Sequence, residues 1–352
     1  MRKVNHIALA AVAIYLVASS LTLGQGGNPP ASTTESGATS GHDGMPLWAY
    51  GYNAPPPPAG APAPAAAPAR PAAPEVTRTL PGSPGSFTRS QIYSRYSPAD
   101  WFPNAHPPMP EIVAKGREAA NIWACSFCHL QHGRGRPENA PVGGLSVSYF
   151  VQTMMDYKNG NRKSSDARKR NAALMVGFAK AMTDAEIRTA AEYFGSIPWQ
   201  PLWVKVKETE TVPKTHIDNG LFIPNEGAET EPIGKRIVEV PENEDLSENL
   251  RDPRSGFIAY VPVGSLKKGE SLVNSGGGGK TVRCALCHGP DLKGLGPVPA
   301  IAGRSPSYLI RQIYDIQVDS RKGEWTQLMK PVVAKLNEDD LIAIGAYVAS
   351  IQ

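Results

Sequence analysis

All four cysteines of this 352-residue chain lie in two copies of one five-residue pattern, Cys125-Ser126-Phe127-Cys128-His129 and Cys284-Ala285-Leu286-Cys287-His288. The spacing sets two thiols and an imidazole on one helical turn. The thiols can then form thioethers to the two vinyl groups of a haem, and the histidine falls under the iron as an axial ligand. A chain that carries two covalent porphyrins has to fold as small shells around them. The bland alternatives fail on spacing: the pairs stand 159 positions apart, too far for a compact structural zinc site. Neither pair sits in the βαβ setting of a thioredoxin-like dithiol. Disulfides would leave His129 and His288 without a purpose. The cofactor reading is two haem c, and the chemistry is electron handling.

The N-terminus carries an address. Arg2 and Lys3 precede an apolar run from Ile7 to Leu23, which reads as a signal peptide or an uncleaved membrane anchor over residues 1–24. Positive charge before the run keeps its start cytoplasmic and sends the remainder outward. Both readings put the haem regions in the periplasm, the anchored form tethered to the inner membrane. Residues 25–90 read as a disordered linker, Gly/Ser-rich and then Pro/Ala-rich, because they bury too little to offset their ordering entropy. At ~3.1 Å per residue the tract 54–74 would reach about 65 Å. Within the linker, Met45-Pro-Leu-Trp-Ala-Tyr-Gly-Tyr52 is oddly aromatic and could pack on a haem region or on a partner. A net charge of +4 is too weak to argue for nucleic acid, and no Walker or Rossmann glycine pattern is evident.

The two haem regions are copies. From Cys125 and Cys284 they align without a gap to Arg162 and Arg321, pairing Gly135 with Gly294, Tyr149 with Tyr308, Gln152 with Arg311, and Asp156 with Asp315. Further on, the spacing falls to 154 and pairs Met175 with Met329, then Tyr193 with Tyr347. This alignment bears on the second axial ligand, where a thioether raises the reduction potential relative to a second imidazole. Met329 is the one methionine after the second motif. In the first copy Met154, Met155, Met175 and Met182 compete, and only Met175 falls opposite Met329. Met182, the runner-up, falls opposite Leu336 and reads as core packing, as do Met154 and Met155.

Local signals predict helices. Pro110-Glu111 opens a helix running towards Trp123, Ser146 caps one through Lys158, and Thr183-Asp-Ala-Glu186 is a capping box. In the second copy a helix spans Leu266 to Asn274, Ser305-Pro306 pairs an N-cap with a first-turn proline, and Asn337 caps the last helix, whose apolar spacing gives it a buried face. Three helices around a haem, with ligands at both ends of each region, form the class I cytochrome c pattern.

On these residues the chain resembles the dihaem class I cytochromes c of the cytochrome c4 type, over about 110–198 and 265–352. The shared features are the two haem motifs, a segment like Ile301-Ala-Gly-Arg-Ser-Pro-Ser-Tyr308-Leu, and Met329 followed by Val333-Ala-Lys-Leu-Asn. The resemblance implies two His/Met haems meeting through their propionate edges and passing single electrons. It also implies that Pro141 and Pro299 orient the proximal histidines through their carbonyls. The first copy departs at Gly143-Gly144-Leu145, where the second has Ala302-Gly303-Arg304.

The larger departure is an interdomain insert, 199–264, with β-favouring alternation at Val204–Val212, Arg236–Val240 and Phe257–Val261. The expected architecture is mainly α: cytochrome c domains at 91–198 and 265–352, and a small β-rich insert laid over their junction. An acidic run from Glu239 to Asp252 and a basic run from Lys158 to Arg170 read as solvated faces, a mutual clamp or a docking patch. The functional expectation is an electron carrier between respiratory partners, such as a quinol-oxidising complex, a dehydrogenase or a terminal oxidase. The alternatives are a haem subunit of a periplasmic dehydrogenase and a haem enzyme with a displaceable ligand. No catalytic constellation supports the last reading. His132 reads as a loop residue near a propionate, and His106 and His216 as surface or capping residues; His6 falls in the signal and His42 in the linker.

Overall fold

Helix starts follow the caps written in the chain, and the computed structural model describes residues 44–55, 75–199 and 203–352. The apolar run 7–23, His6, His42 and most of the Pro/Ala tract fall outside the described residues. Among those described, no helix is long and apolar enough to cross a membrane.

A hairpin of β1 (Arg78–Thr79) and β2 (Ser86–Phe87) leads into α1 (Arg89–Ile92), which Thr88 opens with a reciprocal capping box. The first repeat then holds α2 (Glu111–Ala114), α3 (Cys125–His129), α4 (Val147–Lys158), α5 (Arg170–Ala181) and α6 (Asp184–Ser196). Ser146 accepts from the Tyr149 amide and Thr183 forms its capping box with Glu186. The helix expected from Glu111 towards Trp123 is only four residues long. Gly116 ends it at φ +69°, where a Cβ would stand 2.2 Å from the Ile122 carbonyl oxygen, so the chain turns back and pairs Arg117 with Ile122 instead.

Seven strands follow: β3 (Val204–Glu208), β4 (Thr211–Pro213), β5 (Thr215–Asp218), β6 (Leu221–Pro224), β7 (Thr230–Pro232), β8 (Val238–Pro241) and β9 (Phe257–Val261). A three-stranded sheet has the order β3-β9-β8, with β3 parallel to β9 and β8 antiparallel to it. The second repeat comprises α7 (Ser265–Ser275), α8 (Ala285–His288), α9 (Pro306–Gln317), α10 (Thr326–Val333) and α11 (Glu338–Ser350). Ser305 and Asn337 cap α9 and α11 as expected. α7 crosses α11 at Gly269, where a Cβ would meet the Ala343 carbonyl oxygen at 2.1 Å. Only glycine permits that approach.

Packing redraws two expectations. First, the sheet shares a continuous apolar core with the second repeat, through Trp203, Val240, Phe257, Ile310 and Val348. Second, the linker does not run unfolded to residue 90. Residues 45–50 are buried in that same core, and Leu80, Ile92, Trp101 and Leu250 build a satellite core from the stretch before the first repeat and the insert. The aromatic segment is held by directional bonds. The Tyr50 hydroxyl donates to Asp315 at 2.7 Å, Arg311 donates to the Ala49 carbonyl at 2.5 Å, and the Tyr52 hydroxyl donates to the Arg168 carbonyl at 2.5 Å.

The clamp between acidic and basic runs does not form. Glu239 is buried and accepts from Ser305 and Ser307, while Glu248 pairs with Arg136. Lys158 pairs with Asp184 and Arg168 with Asp166, outside the acidic run.

Candidate haem sites

In each repeat the attachment helix delivers its histidine to a backbone acceptor. His129 Nδ1 stands 2.8 Å from the Ala140 carbonyl oxygen, and His288 Nδ1 stands 2.8 Å from that of Pro299. A carbonyl only accepts, so Nδ1 carries the proton and Nε2 keeps its lone pair for a metal. Burial lowers both imidazole pKa values against the pull of these carbonyls, which keeps the rings neutral. The Pro299 role holds; in the first repeat the acceptor is Ala140 and not Pro141, and Ala140 is the residue 159 positions before Pro299. The amides of Gly135 and Gly294 close the following turns onto the carbonyls of His129 and His288, at 2.9 and 2.8 Å.

An open cleft of about 680 Å³ in the first repeat is lined by Cys128, His129, Tyr157, Lys169, Met175 and Phe178, among others. Met182 instead is buried at the end of α5, and Met154 is buried within α4. In the second repeat Cys284, Ile301, Tyr308 and Met329 pack against one core, and His288 is buried. Thr281 Oγ1 donates to the Val332 carbonyl at 2.7 Å, tying the segment before the motif to α10 and so to Met329. Burial pushes the Cys125 thiol up to about 12 and those of Cys128 and Cys284 up to about 11, so before haem attachment these sulfurs are neutral.

Between the repeats the aligned residues trade partners. Tyr149 of α4 accepts from Arg321 at 2.8 Å, and Tyr308 of α9 accepts from Arg162 at 3.4 Å. Each pair joins a tyrosine of one copy to the arginine of the other. Both guanidiniums also reach Gln312 Oε1, at 2.6 Å from Arg162 and 3.2 Å from Arg321. The backbones of Arg162 and Arg321 meet in an isolated bridge. The sequence contained this signal, since the Tyr and Arg positions align at one spacing; that they would cross was not legible.

Buried cations gather here, close to the buried carboxylates of Glu138, Asp166, Glu239 and Asp315. Arg162 and Arg321 donate to Tyr and Gln, Arg304 to the carbonyls of Ala300, Pro141 and Gly143, and Arg311 to those of Ala49 and Pro137. All four are buried, and every one of these acceptors is neutral. Burial also lowers Lys169, on the cleft, to about 7, with Arg311 adding to the effect. Desolvated positive charge of this kind calls for anions, and a haem brings two propionates. Together with the two neutral imidazoles, the residues present fit the group.

No family model matches the chain. It is 30% identical over 244 residues to cytochrome c4 of Azotobacter vinelandii, an alignment covering 68% of this chain and 89% of the relative. It is 32% identical over 244 residues to the thiosulfate dehydrogenase electron acceptor of Stutzerimonas stutzeri, covering 68% and 85%. The chain belongs to the cytochrome c4 family. Among solved structures, cytochrome c4 of Acidithiobacillus ferrooxidans aligns with a TM-score of 0.41 at 20% identity, over 64% of this chain and 97% of that one.

As a cytochrome c4, the protein carries two haem c and transfers electrons; its relatives are electron carriers or cytochrome subunits of dehydrogenases and not enzymes themselves. The remaining histidines stand apart from the ligands. His132 lies in the turn after the first motif, as read from the sequence, and is half-buried there; burial lowers it to about 4. His106 is no surface cap either: its Nε2 lies 3.1 Å from Asp100, and the Tyr193 hydroxyl lies 3.2 Å from its Nδ1. His216 sits on the exposed hairpin of β5, 2.9 Å from Asn225.

Proposed function

We propose that Cys125 and Cys128 bind one haem covalently with His129 and Met175 as axial ligands, and that Cys284, Cys287, His288 and Met329 hold the other. The observation that carries this reading is the shared cleft of Cys128, His129 and Met175, with the His129 tautomer set by Ala140. The porphyrin supplies a one-electron couple. The chain fixes the imidazoles, and Arg162, Lys169 and Arg311, which line the cleft, would offer positive charge to the propionates. We place the protein in the periplasm, exported by residues 1–24, with the folded haem regions as domains at 91–198 and 265–352. The donor is a dehydrogenase. Supporting that choice, relatives are named thiosulfate dehydrogenase electron acceptor and cytochrome subunit of sulfide dehydrogenase.

The test is a sulfur-to-iron charge-transfer band in the near infrared, counted against haem. Met175→His and Met329→His should each remove half of it and lower one potential, by about 0.1–0.3 V of the roughly 0.8 V that axial ligands span. Retention of the full band in Met175→His, with its loss in Met182→His, would sink the assignment for the first repeat. Stable co-purification with a dehydrogenase would recast the protein as a complex subunit, as the same relatives' names allow.

A further inference from the structure

The loops that carry the carbonyls of Ala140 and Pro299 are hung the same way in both repeats. In the first, the amides of Val142 and Gly143 both donate to the Gly133 carbonyl, at 2.7 and 2.9 Å. In the second, those of Ile301 and Ala302 both donate to the Leu292 carbonyl, at 2.9 and 3.1 Å. Each of these residues matches its counterpart at the spacing of 159. That leaves two further carbonyls in each loop, Pro141 and Gly143 in one, Ala300 and Ala302 in the other, and a buried carbonyl needs a donor.

One side chain serves three of the four. Arg304 Nε donates to Ala300 at 2.6 Å, Nη1 to Pro141 at 2.7 Å and Nη2 to Gly143 at 3.3 Å. The fourth, Ala302, accepts from Trp199 Nε1 at 3.1 Å, and the Trp199 ring centre lies 4.3 Å from the same guanidinium. Trp199 in turn packs on Gly144 of the first repeat, where a Cβ would stand 2.9 Å from its own. Ala300 and Pro141 are matching positions, so a single guanidinium takes the equivalent carbonyl of both repeats. Each of those carbonyls lies one residue beyond the acceptor of a proximal histidine. The counterpart of Arg304 in the first repeat is Leu145, so this charge occurs once.

The charge is also enclosed. Arg304 is 2% exposed, and among the described residues its bonded acceptors are backbone carbonyls. Burial lowers it to about 10, which leaves it protonated at neutral pH. Loss of an electron from either haem adds positive charge beside its histidine and makes the Nδ1 proton a stronger donor. A cation on the neighbouring carbonyl opposes that change in both repeats.

We infer that Arg304, stacked on Trp199, is a positioning residue for both haems: it ties the two proximal loops together and raises both reduction potentials through its charge. This rests on the dihaem reading above. Each iron takes up one electron, ferric to ferrous, with no proton moved and Arg304 protonated throughout.

The test is a redox titration of the full-length holoprotein at pH 6, with each haem followed by its own methyl NMR signals. Every variant is first checked for two haems per chain; a wild-type chain without them would fail the dihaem reading and not this one. Arg304→Gln should shift both haems at least about threefold towards ferric against a one-electron redox buffer, about 30 mV at 59 mV per tenfold. Arg304→Lys keeps the charge and should restore most of that shift at both haems. Arg188→Gln, the same loss at an exposed position of α6, should leave both within about 1.5-fold, because water and salt screen it. A shift of the His288 haem alone, no shift in either, or an equal shift in Arg304→Lys overturns the proposal. If Arg304→Gln does not take up both haems, the wild type decides. Its Arg304 Nε signal in ¹⁵N NMR should move at both one-electron steps, and movement at one step only overturns the proposal.

Discussion

The two repeats share ligands, caps and a tyrosine–arginine exchange, yet around their haem motifs they have opposite surfaces. At Leu286 the second repeat shows bare hydrocarbon; at Phe127 the first lies under a guanidinium donated by the insert. Nothing in the five-residue motif accounts for this. The difference arises from chain outside the two aligned copies, residues 78–105 and 245–254, which pack on the first copy. A duplicated domain can thus be given a different surface without altering the residues that hold its cofactor.

The largest test of that contrast is Arg136→Met. It would leave the buried Glu138 carboxylate and the half-buried Glu248 carboxylate without their partner, a loss of about 3–5 kcal/mol, and it should loosen the packing of residues 245–254 on the first repeat. The counterpart, Leu295→Met, should stay within about 0.5 kcal/mol because Leu295 is exposed. Denaturant unfolding of the two holoproteins compares them, and a difference below about 1 kcal/mol would mean that Arg136 does not hold the insert to the first repeat.

The second test concerns the junction, where the repeats are alike. Burial alone would raise the Tyr149 hydroxyl, but Arg321 and Arg162 outweigh it and bring it down to about 8. A lowered pKa favours the ionised form in the folded chain. Its contribution is complete above pH ~10 and is lost as pH falls through ~8, a change worth roughly 2–3 kcal/mol. Arg321→Gln should return the Tyr149 titration to about 10 or above in ¹³C-tyrosine NMR and flatten that alkaline gain. An unmoved titration would show that the exchange does not set it.

The smallest effect is expected at the caps. Thr183→Ala and Asn337→Ala each remove half of a capping box and should cost about 1 kcal/mol alike. A gap between them larger than that cost would mean the last helices of the two repeats are not equivalent in energy.

What the sequence disclosed was whatever local chemistry determines. The haem motifs, the caps at Ser146, Thr183, Ser305 and Asn337, and the pairing of Met175 with Met329 all follow from spacings within one turn or one duplication. Failures came where the deciding partner is distant. The helix after Pro110 stops because Gly116 meets a backbone that returns at Ile122. Residues 45–52 lay within the expected linker, and the choice between packing on a haem region and on a partner stayed open because the core that buries Tyr50 begins more than 150 positions later. The acidic run gave no hint that Glu239 would turn inward to Ser305 and Ser307. The Ala140 acceptor of His129 was legible, since the constant spacing of 159 aligns it with Pro299; pairing Pro299 with Pro141 was off by one residue.

Gln312 accepts from both arginines, while its counterpart in the first repeat is Thr153. Two glutamines would compete for the one spot that both guanidiniums reach, and two threonines would leave it empty. A pair of identical subunits has no third choice, since any change made on one side appears on the other. Two copies within a single polypeptide are free of that constraint, and the centre of the seam is filled by one residue.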